Sequence, residues 1–129
     1  MSETKTYKVV YIEDDQDMID LVRVVLTRGN FVLLGVTEGR EGLKVIREQK
    51  PDLVLLDLML PDMGGWAIYQ QMKHDADLKD IPVIVVTAQD APIDRLLGEH
   101  IAMVQVYITK PFSPMQLFAS VKEVLGIQA

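Results

Sequence analysis

Five short apolar runs, rich in β-branched residues, constrain this chain more than any other feature. They are Tyr7–Ile12, Phe31–Val36, Leu53–Leu56, Val83–Val86 and Val104–Ile108. Most lack the polar alternation of a half-solvated sheet, which marks strands buried on both faces, as in a parallel sheet. Helical stretches lie between them. Met18–Arg28 puts Ile19, Val22 and Leu26 on one face, with Gly29 placed as a C-terminal cap. Glu41–Gln49 carries Leu43, Val45 and Ile46 before Pro51, and Trp66–His74 carries Ile68, Tyr69 and Met72. Pro92–Ala102 reads as a fourth helix, weakened by Gly98. Ser113-Pro114 opens a fifth, with a hydroxyl N-cap and proline in the first turn, and Gly126 stops it after Leu125. A fivefold strand–helix alternation implies an α/β fold, in which right-handed crossovers place helices on both faces of one parallel sheet.

The 129 residues suit one domain, here 7–129, preceded by a loose polar stretch over 1–6. The composition, 49% hydrophobic and 25% charged, supplies one core. No apolar run approaches the length of a bilayer span, and the polar N-terminus lacks a secretion signal. No basic amphipathic helix offers a membrane contact. The absence of cysteine excludes disulfides and thiolate metal sites and suits a cytoplasmic protein. A net charge of -6 repels a phosphate backbone, which argues against direct nucleic-acid binding by this segment.

Polar residues gather where the strands end: Glu13-Asp14-Asp15 after the first, Asp57 after the third, Thr87 after the fourth and Lys110-Pro111 after the fifth. Ligands of open α/β sheets bind at that edge. Each piece has a plain reading: a helix N-cap, a loop start, a strand-end hydroxyl, a solvated lysine. Together they suggest more. Were the first and third strands neighbours, about 4.8 Å apart, Asp57 would come within metal-sharing reach of Glu13 and Asp14. Clustered carboxylates resist ionising together, and Mg²⁺ relieves that cost while leaving coordination positions for phosphate oxygens. A carboxylate there is a plausible nucleophile for phosphoryl transfer. Lysine and threonine would act on the phosphoryl oxygens as cation and donor.

The stretches Val10-Tyr11-Ile12-Glu13-Asp14-Asp15, Pro51–Asp57, Leu60-Pro61-Asp62-Met63-Gly64-Gly65, Pro82–Ala88 and Tyr107-Ile108-Thr109-Lys110-Pro111-Phe112 stand in the order and near the spacing of one family. Over essentially its whole length the chain resembles the receiver domain of two-component response regulators. The resemblance implies a flavodoxin-like, doubly wound five-stranded parallel sheet, order 2-1-3-4-5, flanked by five helices. It implies that Asp57 accepts a phosphoryl group from a sensor histidine kinase or phosphotransfer protein. Glu13, Asp14, Asp57 and the backbone carbonyl of Met59 would hold Mg²⁺, and Asp15 would cap the first helix. Thr87 and Lys110 would bind the phosphoryl group, Tyr107 would swing inward when Thr87 moves, and the Lys110–Pro111 bond would be cis. Such a domain is a switch rather than an enzyme, catalysing only its own phosphorylation and dephosphorylation. It would reshape the surface of the fourth helix, fifth strand and fifth helix to control an output protein or domain of unknown identity.

Trp66, Gly64-Gly65, His74 and His100 read as packing, a turn and two solvated side chains. The segment Ile101-Ala102-Met103-Val104-Gln105-Val106 lacks the Gly-Ala pair and acids usual in the family, and the Thr87–Lys110 interval is one residue longer than the family's. The fourth helix is therefore expected to be short, shifted or irregular. Without those acids, a monomer is expected before phosphorylation, and later contacts should be apolar. A DNA-binding transcriptional regulator cut to its receiver is one alternative. A metal-dependent aspartyl phosphatase is another, disfavoured because Met59 stands where such enzymes carry a second acid.

Overall fold

The computed structural model describes residues 5–60, 62, 64–88 and 106–127. Five strands, β1 (Tyr7–Ile12), β2 (Phe31–Val36), β3 (Leu53–Leu56), β4 (Val83–Ala88) and β5 (Val106–Lys110), form one sheet. The order is β2-β1-β3-β4-β5, and every pairing is parallel. This is the flavodoxin-like arrangement that the family resemblance implies. The described helices are α1 (Gln16–Leu26), α2 (Gly39–Gln49), α3 (Gly65–Lys73) and a C-terminal helix (Pro114–Leu125). The helix expected over Pro92–Ala102 lies outside the described residues, as does the departure at 101–105.

Alternate residues of the central strands feed two cores. Val10, Ile12, Val54, Leu56 and Val85 pack with Leu43 and Ile46 of α2 and Ile68 and Met72 of α3. Val9, Tyr11, Leu53, Leu55 and Ile84 pack with Ile19 and Val22 of α1 and with Leu117 and Val121 of the C-terminal helix. All four β3 residues are fully buried, each side chain contributing about 1.5–3 kcal/mol. That double burial is why the strand runs lack polar alternation.

Several boundaries differ from the sequence reading, for local reasons. α1 closes at Leu26 because the Thr27 N–H turns back to the carbonyls of Arg23 and Val24. Gly29 is thus not its left-handed cap; it leaves room for Phe31, whose ring a Cβ would meet at 2.7 Å. α2 starts at Gly39, two residues early, and ends at Lys50, whose φ is 44°. β5 extends to Lys110, two residues beyond Ile108. The C-terminal helix begins as its sequence indicates: Ser113 Oγ accepts from the Gln116 N–H at 3.0 Å, and Gly126 closes the helix with φ 70°. Of the N-terminal stretch, residues 1–4 lie outside the described residues, while Lys5 pairs with Asp52 at 3.2 Å.

Candidate functional site

The sheet ladder runs one step beyond the strand ends and thereby sets the acidic residues side by side. Ile12 lies opposite Leu56 in the β1–β3 register. The Asp57 N–H then donates to the Ile12 carbonyl at 3.1 Å, and the Glu13 N–H donates to Val36 of β2 at 2.9 Å. Glu13 and Asp57 are therefore main-chain neighbours on adjacent strands, 1% and 4% exposed. Asp14, one residue on, is exposed. Each of the three offers a carboxylate oxygen within 4.8 Å of the others.

Lys110, at the end of β5, is the cation among them. Its Nζ donates to Glu13 Oε1 and, at 3.3 Å, to Asp57 Oδ2. Burial opposes the lysine's charge, but its hydrogen bond to Glu13 and the charges of Asp57 and Glu13 outweigh it and raise its pKa above the usual value. Among the described residues, three carboxylates against one ammonium leave two negative charges, the complement of a divalent cation. The strain shows at Asp14, whose carboxyl is pushed above its ordinary range by its hydrogen bond with Glu13, by burial and by the Glu13 charge. Mg²⁺ fits the donor set. All three donors are hard oxygens, and trans ligands of an Mg²⁺ octahedron lie about 4.1 Å apart, so small side-chain rotations close the group.

The remaining expected residues fall as follows. The Met59 N–H donates to Asp57 Oδ1 at 3.0 Å, fixing the carboxylate from its loop side. Asp15 caps α1, accepting from the Asp17 N–H at 2.9 Å. Thr87 is placed by its backbone, opposite Thr109 in the β4–β5 register; its side chain lies outside what is described. Tyr107 is 47% exposed on β5, and the Lys110–Pro111 peptide is cis. Trp66 stacks on Tyr69 at 5.1 Å. His74 is exposed with Nδ1 2.8 Å from the Gln70 carbonyl, away from the acids; His100 lies outside the described residues.

Three contributors were missed in the sequence. Tyr11 is fully buried, and its hydroxyl donates to Glu13 Oε1 at 3.1 Å. Burial, followed by the nearby carboxylates, holds the phenol far above its usual pKa, so it stays a donor. Period-two reasoning could have found it, because Tyr11 and Glu13 share a strand face. Asp62 accepts from the N–H groups of Gly39 and Arg40 at 2.9 and 3.1 Å, which lowers its pKa. It caps α2 from a distant loop where the helix's own N-cap residue, Glu38, makes no side-chain bond. Gly65 is the third: a Cβ there would lie 2.3 Å from the Asp57 carbonyl oxygen and 2.6 Å from Leu58 Cα.

The family model described as the response regulator receiver domain matches residues 9–122. The chain is 32% identical over 118 residues to the alkaline phosphatase synthesis transcriptional regulatory protein PhoP of Bacillus subtilis. That match covers 92% of this chain but only 48% of the relative, so the chain spans about half the relative's length. Among solved structures, the signal receiver domain of a signal transduction histidine kinase from Syntrophus aciditrophicus superposes with a TM-score of 0.83 at 27% identity. The match covers 94% of this chain and 91% of that one. The receiver domain of a Pseudomonas aeruginosa sensor histidine kinase, solved with a magnesium ion coordinated in its active-site cleft, shares the fold. Its TM-score is 0.81 at 20% identity, over 95% of this chain and 99% of that one. Among the described residues, no helix is long and apolar enough to cross a membrane.

Proposed function

The chain belongs to the response regulator receiver domain family, whose general function is that of a phosphorylation switch in two-component signalling, and on that premise we propose that Asp57 is its phospho-acceptor. The observation that carries the proposal is the placement of Asp57 at the buried end of β3, between the acids Glu13 and Asp14 and the cation Lys110. An Asp57 carboxylate oxygen attacks the phosphorus of a phosphohistidine donor. The new P–O bond forms as the P–N bond breaks, and its electron pair leaves with the imidazole. Glu13, Asp14, Asp57 and the Met59 carbonyl are the groups that would hold Mg²⁺, which supplies neutralisation of the phosphoryl charge.

Lys110 already bridges Glu13 and Asp57; turned toward a phosphoryl oxygen, it offers a charge-assisted bond. The Thr87 hydroxyl serves as a second donor, and Tyr107 moves inward as Thr87 shifts, a local charge event biasing a two-state element. The chemistry is confined to the domain's own phosphorylation and dephosphorylation.

Receiver domains work with histidine kinases and output domains. The output here is proposed to be read at the face of β5 and the C-terminal helix, where Tyr107 and Met115 are 47% and 74% exposed. These apolar groups support apolar contacts after phosphorylation, and the lack of the family's usual acids in the sequence supports a monomer before it. Likeness to a transcriptional regulator twice as long supports a DNA-binding output domain as one such partner. The cytoplasm, where kinase and output meet, is the proposed location.

Treatment with acetyl phosphate and Mg²⁺, read by intact-protein mass spectrometry, should add one phosphoryl group, lost in Asp57→Asn. Equal gain in that variant, or gain independent of Mg²⁺, would remove the assignment.

A further inference from the structure

Tyr11 carries a hydroxyl into the middle of an otherwise apolar strand. Its ring is fully buried with Val9, Ile19 and Leu55, a place phenylalanine would fill without requiring a polar partner. The hydroxyl has a definite target. It donates to Glu13 Oε1, the same oxygen that Lys110 holds. Glu13 Oε2 accepts a long bond, 3.4 Å, from the Asp15 N–H. Oε1 is thus held by two side-chain donors from within the protein, while Oε2 lies on the side of Asp14 and Asp15.

We propose that Tyr11 is a positioning residue of the acidic centre: its hydroxyl fixes the Glu13 carboxylate for a divalent cation and keeps Oε1 satisfied when Lys110 turns to phosphoryl oxygens. The proposal rests on Glu13 being a metal ligand, as set out above. Glutamate needs such a restraint more than aspartate would. Its carboxylate sits one methylene and one torsion further from the backbone, and that freedom opposes binding unless a neighbour removes it beforehand. The pairing is also sterically specific. Tyr11 and Glu13 stand two residues apart on one strand face, and a carboxylate drawn back by a methylene would leave the hydroxyl's reach. Lys110 alone cannot do both tasks, since a cation committed to Glu13 is unavailable to a phosphoryl group.

The test is a cycle of Tyr11→Phe and Glu13→Asp, with Mg²⁺ affinity measured by calorimetric titration and fold stability by urea melt. In the parent background Tyr11→Phe should weaken Mg²⁺ binding about tenfold. In the Glu13→Asp background the same substitution should change affinity less than about twofold, because the contact it removes is already gone. Unchanged affinity in Tyr11→Phe, equal weakening in both backgrounds, or loss of the fold in Tyr11→Phe would each overturn the proposal. A parent that binds no Mg²⁺ would overturn the metal reading beneath it, and the proposal with it.

Discussion

Gly64 and Gly65 are neighbours in sequence and opposites in structure, so substituting each tests how the site is supported. A Cβ at Gly65 would press on backbone, 2.3 Å from the Asp57 oxygen and 2.6 Å from Leu58 Cα, with no flexible side chain to move aside. Overpacking of that kind costs about 3 kcal/mol. Alanine recovers at most about 1 kcal/mol of helix propensity at this first position of α3, leaving Gly65→Ala about 2 kcal/mol less stable. For 129 residues the unfolding entropy is about 0.27 kcal/mol/K, so Tm should fall about 7 °C. Gly64 is the N-cap of α3, with φ -62° and ψ 138° and nothing within 4 Å of a Cβ. Gly64→Ser adds a capping oxygen and stiffens the unfolded chain, a gain of about 0.5–1 kcal/mol. Thermal melts without metal, followed by circular dichroism, measure both. The displaced Asp57 backbone should also slow phosphoryl uptake in Gly65→Ala about ten- to a hundredfold, with Gly64→Ser unaffected. A Gly65→Ala melt within a degree of the parent, or an equal fall in Gly64→Ser, would refute the reasoning.

Asp14→Asn should raise the unfolding free energy of the metal-free protein at neutral pH, measured by urea melt, by less than about 1 kcal/mol because solvent screens an exposed carboxyl, while reducing the stabilisation that added Mg²⁺ confers. The sign follows from a folded pKa above the unfolded value of about 3.9: the charged form costs stability at neutral pH, and the difference closes as pH falls and both states take up the proton. Asp62→Ala should lower the midpoint at neutral pH by uncapping α2. Here the folded pKa is depressed by the Gly39 and Arg40 N–H groups, so the parent's advantage is present above about pH 3.9 and lost as pH falls through the folded value. A gap between parent and variant that persists undiminished in strong acid would contradict the cap.

The sheet and the acids were legible for one reason: the pattern that buries a strand on both faces also fixes where it ends. The unbroken run Leu53–Leu56 leaves Asp57 as the first polar group past β3, and Tyr7–Ile12 does the same for Glu13. Features that depend on distant parts of the chain were not legible. Nothing near Gly39 announces that Asp62 will cap α2, since the partner lies 23 residues away. The crowding at Gly65 arises only once α3 is laid against the β3 loop. Gly29 misled for a related reason: glycine after a helix suggests a left-handed cap, yet here the missing Cβ serves the Phe31 ring.

The ladder that continues past β1 and β3 has a mechanical consequence. Glu13 and Asp57 are welded into the three innermost strands, whose opening requires breaking the sheet itself, so they belong to the last part of the molecule to yield. Lys110 comes instead from β5, an edge strand with a single neighbour. If Asp57 is phosphorylated as proposed, the added charge would meet a rigid support on one side and an edge strand on the other. Displacement would then be directed outward along β5, toward the exposed face that Tyr107 and Met115 occupy, rather than back into the sheet.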